Sequence, residues 1–458
     1  MMLFVAACGG DSRKGERVVA IPPATQPLAA TDEPIPPSPQ RPGDPVKGWE
    51  ALTGEGYVGC GIPRSLWDSF GGIAMAGAAK LDRPRGADLP YFMNPGKSAS
   101  GIDIVTANCL GCHAAWLRGK LVIGLGEVST DFTTEGAADP VAMAGLMVSG
   151  DARTEVAKLA GRMRALERVR TRTAGANPAD HIAAVLFAHR DPKTLAWSDE
   201  PLIPIADDEA IPVDVPAWWL LKKKTAMFHT GAGRGDQARI MMTASVMCVD
   251  DVATAKAIDS YFPDIRAYLM TLEPPKYPGT IDGKLAARGK QTFEARCSKC
   301  HGTYGEGGKY QSRIVSLAKV GTDPKLAEHA GQFAAPFTSW FNSSFYGELA
   351  RLEPGLGYVP PPLDGVWATA PYLHNGSVPN LAAVLDSSLR LPRTAIVRGR
   401  DAYDLVTVGW PNRAPDDDTG SRWIYDAGAP GYANTGHTFG DKLTPAERSA
   451  VIEYLKTL

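Results

Sequence analysis

Long apolar runs are missing from this sequence: nothing between Gly9 and Leu458 is long and apolar enough to span a bilayer as a helix. A soluble or lipid-tethered protein is therefore the expectation. Net charge is nearly absent too, with 48 basic against 50 acidic residues and a formal −2. That balance argues against nucleic acid as a partner. No tandem repeat occurs at solenoid periods, and strand-like alternating runs are few and short. Histidine (8) and cysteine (7) are scarce, so the places where they fall together carry weight.

What remains is an ordinary globular composition, 44% hydrophobic and 21% charged over 458 residues. This length exceeds what one core usually supports. A seam stands at Leu272-Glu273-Pro274-Pro275-Lys276-Tyr277-Pro278, where prolines end a helical pattern. The reading is a tail over 1–47, a first domain over 48–275 and a second over 276–458. Ile258, Phe262, Ile265, Leu269 and Leu272 recur at three and four residues, a helix face running into the seam. Segments 154–170 and 237–248 also read as helices.

In the second domain Leu285, Gly289 and Phe293 share one helical stripe that runs into Cys297. Gly289 costs about 1 kcal/mol there against Ala, which a close helix–helix approach would offset. Thr444, Pro445 and Glu447 read as N-cap, N1 and N3 of a closing helix with a capping box. Residues 390–436 read as mainly irregular, and a loop of that length is often functional.

The strong signals are Cys109-Leu110-Gly111-Cys112-His113 and Cys297-Ser298-Lys299-Cys300-His301. Thiols at i and i+3 lie on one side of a helical turn, where they can form thioethers to the two vinyl groups of one porphyrin. The histidine that follows is placed under the iron. A four-cysteine zinc site or a thiol–disulfide pair explains the cysteines but not a histidine after each second one. The expectation is two covalently bound haem c groups, with His113 and His301 as iron ligands. The sixth positions are open to His181, His189, His229, His329, His374 or His437, and to Met227, Met241, Met242 or Met247. At helical spacing, methionine is more often core packing.

Three cysteines fall outside the motifs. Val5-Ala6-Ala7-Cys8-Gly9-Gly10 resembles a lipobox, in which the cysteine is lipidated after signal cleavage. Only about seven residues precede Cys8 and no basic stretch begins them, so a full signal of that type would start upstream. The Pro-rich segment 20–47 suits an extended tether. Together these predict a periplasmic or cell-envelope lipoprotein. Cys60 and Cys248 either pair as a disulfide or stand as separate buried thiols.

Residues 361–381, PPLDGVWATAPYLHNGSVPNL, and the closing GHTFGDKLTPAERSAVIEYLKTL, with the paired haem motifs, resemble the bacterial di-haem cytochrome c peroxidase superfamily. The nearer likeness is to its rubber-oxygenase-like branch, over roughly residues 50–458. The resemblance implies a mainly α fold of two cytochrome c-like domains, each holding one haem. It implies a six-coordinate C-terminal haem for electron transfer and an N-terminal haem that reacts with peroxide or dioxygen. A small electron donor, a c-type cytochrome or a cupredoxin, is implied as partner.

Where classical peroxidases carry a distal Met, this chain has His437, as in the rubber-oxygenase branch. His374 is implied to bond a propionate or orient its loop, with Asp364, Trp367 and Tyr372 as walls of the second haem. Trp218 and Trp219 stand where that branch has an aromatic pair beside its active haem. They carry oxidising equivalents, line the distal pocket or simply pack. Phe228 and His229 are candidates for the distal side, His229 as acid–base group or removable ligand. Lys222, Lys223 and Lys224 either face propionates or are solvated. Calcium between the domains occurs in related peroxidases, although no carboxylate cluster here compels it.

Overall fold

A computed structural model describes residues 28–458 except 72–74, 76, 135–137, 206–208, 398–401 and 417–419. The lipobox-like stretch around Cys8 lies outside the described residues.

Helices account for about 39% of the structure, and short strands and long loops fill the rest. The fold is thus not plainly mainly α. The departure is plainest around the first motif, where short antiparallel pairs lead into and out of it. Ile62–Pro63 and Met93–Lys97 flank Asp103–Ala107 in a three-stranded antiparallel sheet. The central strand feeds directly into Cys109. After His113 the chain forms a hairpin, Ala114–Leu117 against Lys120–Ile123.

Two apolar cores organise the body. The first gathers Leu52, Tyr57, Met242, Phe262 and Ile265, and also takes Trp340, Phe341 and Tyr346 from beyond the seam. The second gathers Phe293, Trp367, Tyr372, Val451 and Tyr454, and takes Ala115, Leu117 and Trp219 from before it. The seam at 272–278 thus marks a turn in the chain path, while the packing crosses it in both directions.

The helix face expected over 258–272 forms as two helices, Val252–Asp259 and Phe262–Leu269. Pro263 cannot continue a helix, because it lacks an N–H and its ring clashes with the preceding turn, but it suits a first turn. The 237–248 segment is α-helical only over Gln237–Met241 and continues as a 3-10 helix over Met242–Met247. The helix read at 154–170 spans Gly150–Leu166. Among the described residues of 390–436, the chain is irregular apart from a short strand pair, Arg393–Ala395 with Ile424–Asp426, and isolated bridges.

The expectation of a free tether up to residue 47 is revised from residue 28 onward. Ala29, Asp32 and Ile35 donate their N–H groups to the carbonyls of Pro354, Ile314 and Ser312 at 2.7, 2.6 and 2.8 Å. Arg41 then bridges Asp236 at 2.9 Å and Asp259 at 2.6 Å. Burial works against its charge, but the two carboxylates outweigh that and hold its pKa above the usual value. A proline-rich chain keeps enough free N–H groups to zip onto a surface, which composition does not reveal. Cys60 and Cys248 are disulfide-bonded, with Cα atoms 5.5 Å apart.

The helix Gly283–Arg296 packs on the closing helix Pro445–Leu455, whose capping box of Thr444 and Glu447 is complete. A Cβ on Gly289 would lie 1.8 Å from the Ala450 carbonyl oxygen, so the glycine permits the close approach. Gly161, within Gly150–Leu166, has nothing within 4 Å of its would-be Cβ. Two alanine substitutions should therefore act in opposite directions. Gly289→Ala is expected to lower stability by about 1–3 kcal/mol through overpacking, less any helix-propensity gain. Gly161→Ala should raise it by up to about 1 kcal/mol. Thermal unfolding of the two holoprotein variants checks both signs; equal shifts would contradict the packing.

Candidate haem centres

The first motif is a single helical turn, Leu110–His113, held by its surroundings. The Asn108 carboxamide accepts from the Leu110 N–H at 2.8 Å and donates to the Tyr91 carbonyl at 3.0 Å. The Cys109 N–H donates to the Tyr57 hydroxyl oxygen at 3.0 Å. Burial pushes the Cys109 thiol up to about 11. Neither motif's cysteines are disulfide-bonded.

The His113 imidazole stacks on the Trp218 indole, with ring centres 4.6 Å apart and planes 17° from parallel. Burial pulls its pKa down to about 4, opposed by the Pro216 carbonyl, although no hydrogen bond of ordinary geometry reaches Nδ1. The ring is thus neutral and able to ligate at neutral pH. Trp218 is fixed in turn: its N–H donates to the Gly124 carbonyl at 2.8 Å, and the Gly124 N–H donates to the His113 carbonyl at 2.8 Å.

The second motif is likewise one turn, Ser298–His301. His301 Nδ1 bonds the Pro361 carbonyl at 2.9 Å, which leaves Nε2 for a metal. His437 is brought to it, with ring centres 6.1 Å apart. A metal bonded to both rings, with bonds of about 2.0 Å and about 1.1 Å from nitrogen to ring centre, would separate the centres by about 6.2 Å. Burial, with His301 and Arg390 nearby, pulls the His437 pKa down to about 4.

His437 sits in left-handed backbone, φ 47° and ψ 45°, which costs about 1–2 kcal/mol for a residue with a Cβ. Its neighbours hold it there. The His437 N–H donates to the Val320 carbonyl at 2.7 Å, and Arg390 Nη1 donates to the Gly436 carbonyl at 2.6 Å. A Cβ on Gly436 would lie 2.0 Å from the Gly321 backbone. Free thiols, an adjacent neutral imidazole and, at the second motif, a paired imidazole at metal-ligand spacing fit covalently held haem.

The segment TAPYLHNGS closes as a turn between Tyr372 and Val378, paired by backbone hydrogen bonds of 2.7 and 3.2 Å. The Tyr372 hydroxyl donates to the Val366 carbonyl at 3.0 Å, and Trp367 Nε1 to the Pro275 carbonyl at 2.7 Å. Both rings are buried in the second core. Asn375 donates to the Gly431 and Ala433 carbonyls at 3.1 and 3.0 Å, steadying the loop that leads to His437. Sequence reasoning singled out His374 in this turn and passed over Asn375, whose buried carboxamide has no signature in a single sequence.

The His374 ring stacks on Tyr358 at 3.9 Å, with Nε2 buried and unpartnered, and lies 6.4 Å from His229. His229 Nε2 bonds the Asp214 carbonyl at 2.7 Å. Phe228, with φ 67°, is 36% exposed. The structure brings His229 and His374 together. Met242 is buried in the first core, with Met227, Met241 and Met247 packed against it. Lys222 pairs with Glu273 at 2.5 Å and Lys223 with Asp364 at 2.6 Å. Among the described residues no group of three or more His, Cys, Asp or Glu forms a cation site.

The two tryptophans divide between the cores. Trp218 belongs to the first and Trp219 to the second. Trp219 Nε1 donates to the Asp364 carbonyl at 2.8 Å, three residues beyond the Pro361 carbonyl that holds His301. One pair of adjacent residues thus connects the surroundings of both motif histidines.

His437→Met should replace one bis-imidazole low-spin signal with a histidine–methionine one and raise that haem's reduction potential. Redox-titrated absorbance checks this; an unchanged spectrum and potential would contradict axial ligation by His437.

Comparison with known proteins is informative over part of the chain. A family model described as RoxA-like, cytochrome c-like matches residues 357–393, and one described as cytochrome c matches residues 286–342. Two uncharacterized proteins of Sinorhizobium fredii (strain NBRC 101917 / NGR234) are similar. The protein y4iJ is 28% identical over 41% of this chain and 41% of its own length. The protein y4iM is 30% identical over 42% of this chain and 53% of its own length. The chain therefore spans about half or less of the relatives it matches. The stretches matched by the two family models include Cys297–His301 and the Tyr372–Val378 turn. Cytochrome c domains are present, which implies covalently bound haem c and supports a haem c oxidoreductase or electron-transfer role.

Proposed function

We propose that this chain is a di-haem oxidoreductase that reduces peroxide at the His113 haem with electrons passed through the His301 haem. One asymmetry carries the reading. Among the described residues, His301 has a second imidazole at 6.1 Å, whereas the aromatic partner of His113 is Trp218. A centre held on both sides suits electron transfer, and a centre held on one side leaves room for a small oxidant. Haem c supplies the redox-active iron at which an O–O bond is cleaved.

The protein's own groups do the rest. Trp218 fixes the plane of the His113 imidazole, and the Pro361 carbonyl fixes the tautomer of His301. The buried pair Trp218–Trp219, joined through Asp364 to the Pro361 segment, offers a short path between the two centres. A small c-type cytochrome or cupredoxin would deliver electrons. The Cys60–Cys248 disulfide supports an oxidising compartment, consistent with a periplasmic or cell-envelope protein held by a lipid on Cys8.

A second reading is oxygenation of an apolar substrate by dioxygen, favoured by the RoxA-like match over residues 357–393. Rapid mixing of the one-electron-reduced holoprotein with peroxide, and separately with dioxygen, separates the readings. Peroxidase function predicts prompt spectral change and turnover with peroxide when reduced cytochrome c is supplied. A response to dioxygen alone would favour the oxygenase, and no response to either would leave an electron relay.

A further inference from the structure

We propose that Trp116 is a surface oxidation site at which small phenols give up electrons one at a time. The proposal rests on the reading of the His113 haem as peroxide-reactive. Trp116 is 41% exposed, while Ala114, Ala115 and Leu117 in the same strand are buried. It lies three residues beyond His113, on the hairpin whose base is closed by the Gly124 N–H on the His113 carbonyl at 2.8 Å. At a strand rise of about 3.3 Å per residue, its Cα lies about 10 Å from that of His113. Trp116 is thus an indole that opens to solvent within a short backbone path of a haem-ligating imidazole.

A shallow cleft adjoins the indole, walled by Val128, Val215 and Trp410 and edged by Thr369 and Asp214. The cleft itself is too small for a phenol, so the ring would lie on the exposed face of the indole beside these apolar side chains. Asp214 makes the edge acidic, which disfavours an anionic substrate. A neutral, electron-rich phenol meets both conditions.

The balance is that of one peroxide and two phenols giving two waters and two phenoxyl radicals. Peroxide, the oxidant, takes two electrons and two protons. Each electron leaves through the indole of Trp116, and a phenol lying on the indole refills it. The phenol's O–H proton passes to water, so Trp116 ends each cycle as it began.

The test treats the holoprotein with peroxide, without an added donor, and maps oxidised residues by peptide mass spectrometry. Guaiacol oxidation is then measured in wild type, Trp116→Phe and Trp116→Tyr, each with Soret absorbance and far-UV spectrum at the wild-type level. The proposal predicts oxidation concentrated on Trp116. It predicts a fall in the guaiacol rate of about tenfold or more in Trp116→Phe, with partial recovery in Trp116→Tyr. Guaiacol oxidation at the wild-type rate in Trp116→Phe overturns it. If wild type consumes no peroxide even with reduced cytochrome c, the peroxidase reading itself fails and this proposal with it.

Discussion

A histidine that follows a haem-attached cysteine cannot search for its iron. It is carried there by one turn of helix, and every other group must be brought to it. In the second half, that requirement appears as His437 held in left-handed backbone against a cost of about 1–2 kcal/mol. Val320, Arg390 and Gly321 hold the loop from outside, and Asn375 steadies its approach through Gly431 and Ala433. The turn around Tyr372–Val378 therefore braces the loop that carries His437, the proposed axial ligand. In the first half the same requirement is met differently, with an indole stacked on the imidazole and no second ring among the described residues.

These two solutions meet in the segment from Ile211 to His229. Its Asp214 N–H donates to the His374 carbonyl at 2.7 Å, and its Asp214 carbonyl takes His229. Its Trp218 and Trp219 enter different cores. Anything that displaces this segment disturbs both centres together. The N-terminal strap adds a second tie, since residues 29–35 bond the second half while Arg41 pairs with carboxylates of the first. The Cys60–Cys248 bridge closes a long loop within the first half, which by chain entropy stabilises by about 2–5 kcal/mol.

The parts of this arrangement that obey short-range rules were legible in the sequence. Cys-x-x-Cys-His turns, the capping box at Thr444 and the tolerated glycine at 289 each follow from spacing within one or two helical turns. The resemblance to a family pointed to His437, whose approach to His301 no spacing could give. What was not legible depends on distant segments meeting. The helical stripe through Ile258 and Phe262 reads as one helix until Pro263 restarts it. The strap over 28–41 looks like a tether because its partners, Asp236, Asp259 and Ser312, lie hundreds of residues away. Trp340 and Tyr346 give no sign in sequence that they will cross into the first core. Asn375 and Tyr358 are ordinary residues until the fold places them beside the His437 loop and His374.

The central claim is that one haem is closed by two imidazoles and the other can open. Low-temperature EPR of the purified holoprotein, fully oxidised and again after addition of one electron, tests it most directly. The account predicts a low-spin bis-imidazole ferric signal in the oxidised sample and a high-spin ferric signal in at least one of the two. Only low-spin signals in both would contradict it, since neither haem would then offer a site for peroxide.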